Sequence, residues 1–240
     1  CTDATTVKVQ AKGKCRQGYI WIVIAPGRHI LFRYSAKHNR NTISAMLGDF
    51  RGLLVADAHA VYDHLFADDK VVECACWSHA RRYFFKALAT DRELALEAIA
   101  MLRQLFKIEA ELRDTSRRER EEARQKLSRP LVDAFEAWCH KTRDSGVVLS
   151  DGPLDAALRY VGNQREALRT FISDGRVPMH NNASERGLRN HAVGRKNWLF
   201  FGSDDGGEAN AIFSTFIASC ELHGVDPVGY LIDLQTLLPR

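Results

Sequence analysis

One stretch of the chain, from Met179 to Ser203, contains residue types that could bind both a phosphate and a metal ion. It holds a single carboxylate, Glu185, and four basic side chains: Arg186, Arg189, Arg195 and Lys196. The basic side chains are predicted to contact the phosphates of DNA, and an acid among them could hold a metal ion beside those phosphates. The simpler alternative is an ion pair between Glu185 and Arg189, four residues apart on a helix, which is worth about 0.3–0.5 kcal/mol.

Two further carboxylates stand at the ends of predicted strands. Asp57 closes the apolar strand "LLVA", and Asp3 lies at the head of the first strand. Functional groups often gather at strand ends in open α/β sheets, although an Asp after a strand is also a common turn former. If both converge with Glu185, the three could bind Mg²⁺, which prefers hard oxygen ligands. Two such ions can clamp the attacking and leaving oxygens of a phosphoryl transfer.

A second motif, "CWSHARR", places Cys76 and His79 at a spacing that metal ligands use, with Cys74 two residues earlier. A structural zinc needs about four ligands, and the sequence offers no second close pair. The alternative is the start of a helix with a buried thiol, in which His79 points towards a site near Asp57. Asn181 and Asn182 are the two candidate caps for the helix that carries Glu185.

The elements that must position these residues begin with strands. Residues 4–10, 19–24 and 30–34 are rich in β-branched and aromatic side chains, and a Pro26-Gly27 turn separates the last two. Short connections between three strands predict an antiparallel meander. A short helix over 42–50, a buried strand over 53–56 and a strand over 71–76 follow.

The middle of the chain changes to a helical pattern. Apolar residues repeat at helical spacing from Asp91 onwards, including the stripe Leu127, Leu131, Phe135 and Trp138. The charge-rich segment 117–126 between the stripes is interpreted as a solvated helix or hairpin tip. The predicted division is therefore a core segment over 1–90, a helical insertion over 91–172 and a second core segment over 173–240.

Composition limits the class of protein. The chain has 240 residues, a formal charge of +4 and 45% hydrophobic residues, so it can bury a sizeable core. Its six scattered cysteines favour reduced thiols in the cytoplasm. No apolar run reaches membrane-spanning length and no signal peptide opens the chain. Because residue 1 is Cys, we expect a fragment that lacks an upstream DNA-binding region.

Four blocks resemble transposases of the insertion sequence 66 family. The segment "NNASERGLRNHAVGRKNWLFFGS" resembles the block around the family's catalytic glutamate, and "LLVADAHAVYDHL" resembles its second-aspartate block. "CWSHARRYF" resembles its Cys-x-x-His block and "HGVDPVGYLIDL" its C-terminal element, while "TDATTVKV" is a shorter match to the first-aspartate block. The blocks stand in the family's order and cover nearly the whole chain.

This resemblance implies an α/β fold with an RNase H-like core, a mixed five-stranded sheet flanked by helices, which carries the all-helical insertion. It implies that Asp3, Asp57 and Glu185 form a catalytic triad that binds two Mg²⁺ ions, with Mn²⁺ as a substitute, and that Cys76, His79 and Asn182 are auxiliary residues. It also implies cleavage and joining of DNA at element ends and targets by a homo-oligomer in the bacterial cytoplasm, associated with the nucleoid.

Three alternatives remain open from the residues alone. The same core could serve a nuclease that cuts DNA without joining it. The chain could be an inactive DNA-binding remnant of a transposase. A zinc module on Cys74, Cys76 and His79 is the third.

Overall fold

The structure, a computed structural model, describes residues 1–68 and 70–238. The strands are β1 (Thr2–Ala11), β2 (Lys14–Ala25), β3 (His29–Ser35), β4 (Gly52–Val55) and β5 (Val71–Cys74). The helices are α1 (Arg40–Leu47), α2 (Trp77–Ala87), α3 (Arg92–Glu111), α4 (Arg117–Ala123), α5 (Arg129–Asp144), α6 (Pro153–Asn163), α7 (Arg165–Ser173), α8 (Asn182–Gly187), α9 (Arg189–Trp198), α10 (Asp204–His223) and α11 (Pro227–Leu237). A 3₁₀ turn covers Ala60–Leu65 and a π-helical segment covers Arg124–Ser128.

The described residues divide into two compact units. The first contains residues 1–50 and 61–65 and the described residues from 182 onwards. The second contains residues 51–60 and the described residues of 66–181. The first unit therefore takes its chain from two distant parts of the sequence.

The first unit contains the predicted antiparallel meander, which is confirmed. β1 pairs with β2 and β2 pairs with β3, both antiparallel. The β2–β3 connection is a turn at Pro26 and Gly27, closed by a hydrogen bond from the Arg28 amide to the Ala25 carbonyl at 3.0 Å. Gly27 has φ of +68°, a conformation that costs glycine little because it has no Cβ.

One face of this sheet is covered by helices from the end of the chain. Residues opposite each other on antiparallel strands project to the same face, so Ile22, its β1 partner Asp3 and its β3 partner Phe32 share a face. Ile22 and Phe32 are buried in a core that includes Leu188 and Ala211 from the covering helices. The opposite face buries Trp21, whose indole stacks on His38.

Both edges of the three-stranded sheet make hydrogen bonds to other segments, which lowers the number of unpaired backbone groups that make edge strands prone to association. On β3, the Phe32 amide donates to the Thr215 hydroxyl of α10 at 2.8 Å. On β1, Phe201 forms a parallel bridge to Val9, and its amide donates to the Lys8 carbonyl at 2.9 Å. The segment after α9 is therefore fastened to the strand that carries Asp3.

The second unit combines a parallel pair, β4 with β5, and six helices. Trp77 is buried at the start of α2, where its indole N–H donates to the Leu168 carbonyl at 2.9 Å and its ring packs against Phe135 and Phe171. Every described element between residues 91 and 172 is helical. None of the helices in the described part of the chain combines the length and apolar character needed to cross a membrane.

The interpretation of 117–126 as a solvated tip is wrong at one position. Arg124 is only 1% exposed, because its guanidinium pairs with Glu109 of α3 and donates to three backbone carbonyls. A sequence full of charges does not show which of its arginines is buried with its partners.

The fold is mixed α/β, as predicted at that level. Within the described residues the strands form a three-stranded antiparallel sheet and a two-stranded parallel sheet, and the five-stranded RNase H-like core stays a prediction. The division at residues 90 and 173 also stays a prediction, and its core segments include positions 69, 239 and 240, which lie outside the described residues.

Candidate active site and nucleic-acid interface

Asp3 is the second residue of β1, where strand register fixes the direction of its side chain. It is opposite Ile22, so its carboxylate is on the face that the C-terminal helices cover. The side chain is partly buried, and its Oδ1 accepts a hydrogen bond from the Ala4 amide at 2.7 Å. The strand thus holds one hard oxygen donor at the edge of a packed core.

Glu185 lies in α8, a short helix that crosses the same face of the sheet. Gly187 sits directly over Ile22, since a Cβ added at Gly187 would lie 2.3 Å from Ile22 Cδ1. Leu188, three residues after Glu185, is buried in the same core. The structure therefore brings Asp3 and the segment that carries Glu185 to one face of one sheet, with Ile22 as the neighbour of both. Of the two candidate caps, Asn182 is the first residue of this helix and Asn181 directly precedes it.

Asp57 belongs to the second unit and follows the buried end of β4, as predicted. Its Oδ1 accepts a hydrogen bond from the His59 amide at 3.2 Å. Between them, Ala58 has φ of +61°, a conformation that non-glycine residues rarely adopt. Such conformations persist where the surroundings impose them and cluster at functional sites. The convergence of Asp57 with the other two carboxylates stays a prediction.

Cys76 and His79 lie at the start of α2 in the same unit as Asp57. Cys76 is buried, and its Sγ accepts a hydrogen bond from the Asn181 amide at 3.1 Å. Burial raises the pKa of the Cys74 thiol to about 12, which disfavours the thiolate form. Within either unit, the described residues contain no group of three or more His, Cys, Asp or Glu side chains that could hold a metal ion. This arrangement favours the buried-thiol interpretation over a structural zinc site.

Tyr160 links Asp57 and Cys76 electrostatically. Burial raises the pKa of the Tyr160 hydroxyl, and the charges of Cys76, Tyr83 and Asp57 raise it further. The Tyr160 ring stacks on Tyr83 with 4.9 Å between ring centroids. Burial therefore favours the neutral form of the Tyr160 hydroxyl.

The alternative ion pair between Glu185 and Arg189 was predicted for two residues four apart on one continuous helix. The chain leaves the helix at Leu188, between α8 and α9, and this break changes the i,i+4 geometry. Arg186, Arg189 and Lys196 are exposed, and they make no ion pair with any carboxylate in the described residues. Their charges are available to an external anion.

Arg195 differs from the other three because it binds the strand that carries Asp3. Its Nη1 donates to the Thr6 carbonyl at 2.7 Å and lies 3.1 Å from the Thr6 hydroxyl and 3.3 Å from the Thr5 hydroxyl. The role predicted for it, contact with DNA, stays a prediction. The structure adds a second role, in which Arg195 holds α9 against β1.

A groove of about 850 Å³ lies beside Arg195 in the first unit. Three cations line it, Lys8 from β1, Arg16 from β2 and Arg195 from α9, together with the apolar side chains of Leu199 and Phe200. Arg16 is held by an ion pair with Asp204. The Arg16 guanidinium and the Tyr34 hydroxyl lower the pKa of the Asp204 carboxyl.

The comparison with known proteins identifies the family. The transposase IS66 family matches residues 1–209. The chain belongs to this family.

The relatives of this IS66-family chain are longer than it is. It is 32% identical to the uncharacterized protein y4hP of Sinorhizobium fredii (strain NBRC 101917 / NGR234), covering 97% of this chain and 46% of that protein. It is 29% identical to the uncharacterized protein y4qI of the same strain, covering 99% of this chain and 47% of that protein. The chain thus spans a little less than half the length of these relatives.

The family match covers every carboxylate of the predicted triad but stops before α11. Asp3, Asp57 and Glu185 all lie within residues 1–209, whereas α11 begins at Pro227. Sequence reasoning missed the basic residues Lys8 and Arg16. The signal was present, because "VKVQAKGKCRQ" places basic residues along both arms of a hairpin, but only the structure shows that they line one groove with Arg195.

Proposed function

We propose that this chain is the catalytic domain of a DNA transposase that cuts and joins DNA strands for an insertion sequence. The observation that carries the proposal is that Asp3 and the segment holding Glu185 lie on one face of one sheet, on either side of Ile22. Two partly exposed carboxylates beside exposed basic side chains are the donors expected at a phosphoryl-transfer site. In this proposal Asp57 is the third member of the triad.

The proposal includes the RNase H-like fold that the family resemblance implies. In that fold the three antiparallel strands β1–β3 and the two parallel strands β4 and β5 are the five strands of the core. The helices between residues 91 and 172 are then an insertion that separates the last core strand from the helix of Glu185.

The donor set fits Mg²⁺ in its chemistry. Asp3 and Glu185 offer carboxylate oxygens, which are the hard ligands that Mg²⁺ prefers. Both are partly exposed, so an ion that keeps several water ligands can reach them. We propose that two Mg²⁺ ions, or Mn²⁺ as a substitute, are held by Asp3, Asp57 and Glu185. When bound, these ions supply charge neutralisation and Lewis-acid activation at the reacting phosphate.

The protein's own residues position the DNA. Arg186, Arg189 and Lys196 hold phosphates on either side of the scissile bond, and the carboxylates fix the reacting phosphate beside Ile22. Water breaks a P–O bond at the element's end and leaves a 3′-hydroxyl. That hydroxyl then attacks a target phosphodiester, forms a new P–O bond and releases a target 3′-hydroxyl. A homo-oligomer assembled on the bacterial nucleoid would hold two element ends together with their target.

The test is Glu185→Gln, with Glu208→Gln as a matched control, because Glu208 is an exposed glutamate of α10. The chain is expressed with any flanking segments of its gene and given labelled DNA that carries the element's ends. Glutamine keeps the size of the side chain but loses the charge that a hard divalent ion needs. We expect Glu185→Gln to abolish Mg²⁺-dependent cleavage and joining, while DNA binding persists and Glu208→Gln behaves as wild type.

Other outcomes separate the alternatives. If a well-folded Glu185→Gln variant cuts at the wild-type rate, Glu185 is not catalytic and the proposal fails. Wild-type protein that yields cut ends but never joined products is a nuclease. DNA binding without cleavage in Mg²⁺ or Mn²⁺ identifies an inactive remnant.

A further inference from the structure

We propose that the groove between the β1–β2 hairpin and the turn after α9 binds a single-stranded segment of DNA. In this arrangement Phe200 stacks on an unpaired base, and Lys8 and Arg195 contact the flanking phosphates. The inference rests on the proposed function for the choice of DNA over other polyanions.

Charge is the first argument. Lys8 is exposed and makes no ion pair with a carboxylate in the described residues. Arg195 uses Nη1 to hold β1, and its Nε and Nη2 donors have no partner among the described residues. Only Arg16 is neutralised within the first unit, by Asp204. The groove therefore carries an excess of about two positive charges, which suits a phosphate backbone.

Two apolar side chains are exposed in this basic groove. Leu199 is 58% exposed and Phe200 is 41% exposed. An exposed aromatic ring beside cations is the combination with which proteins bind single-stranded nucleic acid, because every base has a face that can stack on it. In a duplex that face is covered by the neighbouring base pairs, so Phe200 would have no stacking partner there.

The backbone holds these two side chains in a strained turn. The Phe200 amide donates to the Trp198 carbonyl at 2.7 Å, and Leu199 between them has φ of +65° and ψ of −51°. This is a γ-turn of the rare type, which is strained for any residue that has a Cβ. Trp198 and Phe201 stack on each other on either side of the turn, with 4.6 Å between ring centroids. Phe200 thus projects from a turn whose conformation is already fixed, so DNA binding does not have to order this turn.

The groove also has suitable dimensions. Its volume of about 850 Å³ lies within the roughly 300–1,000 Å³ of pockets that bind organic molecules of nucleotide size. It is open along one side and lined by strand residues whose backbone is fixed by pairing. A short run of nucleotides could therefore lie along it without displacing any element.

The test measures binding without metal, so that it does not depend on catalysis. Fluorescein-labelled oligothymidylate of 12 nucleotides is titrated in EDTA at low salt, and anisotropy gives the Kd. We expect Phe200→Ala to weaken binding roughly 5- to 150-fold, whereas Phe213→Ala, which removes another exposed ring (48%) outside the groove, leaves it unchanged. Lys8→Ala should weaken binding and lower its salt dependence, while Lys141→Ala, which changes an exposed residue of α5, should do neither.

A second measurement uses wild-type protein and does not depend on the folding of a variant. Cys15 lines the groove and is exposed, whereas Cys74, Cys76, Cys139 and Cys220 are buried. Bound oligothymidylate should slow alkylation of Cys15 by iodoacetamide, read by peptide mass mapping. The inference fails if Cys15 is not protected, or if Phe200→Ala and Phe213→Ala bind alike. The inference also fails if duplex DNA competes for the groove as strongly as single-stranded DNA does. If the groove binds oligothymidylate and Mg²⁺-dependent cleavage is nevertheless absent, this inference stands and the proposed function fails.

Discussion

Arg124 provides the sharpest test of how the second unit is held together. Its Nε and Nη2 each lie 2.7 Å from an oxygen of Glu109, and its Nη1 donates to the carbonyls of Phe171, Asp174 and Val177 at 2.8, 3.1 and 3.0 Å. One side chain therefore ties α3 and the π-helical segment to the loop after α7. We predict that Arg124→Met strongly destabilises the fold.

The magnitude follows from what the substitution leaves behind. Methionine fills a similar volume, so the cavity is small, but the Glu109 carboxylate, 15% exposed, keeps its charge and loses its partner. Removing one partner of a buried ion pair costs about 3–5 kcal/mol. At about 2–4 °C per kcal/mol for a chain of this size, the midpoint of thermal unfolding should fall by roughly 6–20 °C.

The assay is urea and thermal unfolding followed by circular dichroism. Arg118→Met is the matched control, because Arg118 is 89% exposed and pairs with Glu122 on the surface of α4. The double variant Arg124→Met with Glu109→Gln should recover part of the loss, since no unpaired charge remains. If Arg124→Met is no less stable than Arg118→Met, the network does not hold the unit together and this reasoning is refuted.

Three further predictions concern the first unit. Burial lowers the pKa of His191, so the unfolded state binds more protons than the folded state. The free energy of unfolding should therefore fall as pH drops below about 6.5. Urea unfolding from pH 8 to pH 5 should show this slope, and His191→Asn should flatten it. Gly187→Ala should destabilise the fold by about 1–3 kcal/mol and impair Mg²⁺-dependent cleavage. Adding Ile22→Val, which removes the clashing Cδ1, should restore stability. If stability is not restored, the close approach of Gly187 to Ile22 is unimportant. Lys196→Ala should reduce the slope of log K against log salt by about one on any DNA sequence, whereas Arg195→Ala should also lower stability because it releases Thr6; an unchanged slope would contradict the phosphate contact.

The three-stranded sheet could be predicted because its determinants are local. Alternating β-branched residues and the Pro26-Gly27 turn specify strands and their connection within a few residues of each other. The predicted strands begin two residues late at β1 and five residues late at β2, and each ends one residue early. Polar residues such as Lys14 and Gln17 extend β2 because pairing with β1 satisfies their backbone, a factor that propensity does not contain.

Where the helix is irregular, the predicted apolar stripe placed the wrong residue on the buried face. Leu127 was expected on the buried face but is 46% exposed, and its neighbour Ser128 is buried. Both lie in the π-helical segment Arg124–Ser128, in which each turn contains an extra residue and the face rotates. Further along α5, Phe135 is buried as predicted, together with Val132 and Cys139.

The candidate site shows a similar division. The positions of Asp3 on a strand and Glu185 on a helix follow from sequence pattern. The break at Leu188 and the contact of Arg195 with Thr6 depend on how α8 and α9 pack on the sheet. A single sequence carries no direct record of that packing, which is why the groove at Lys8 could not be predicted.

The divided first unit has a consequence for the order of events during synthesis. The strands β1–β3 leave the ribosome first, but the helices that cover Ile22 belong to residues after 181. At ~5–20 residues per second, the sheet waits roughly ten to thirty seconds for α10. The second unit, whose residues are nearly contiguous, can fold in that interval. The site that we propose at Asp3 and Glu185 therefore cannot assemble until synthesis has passed α8, and a chain interrupted before that point lacks it.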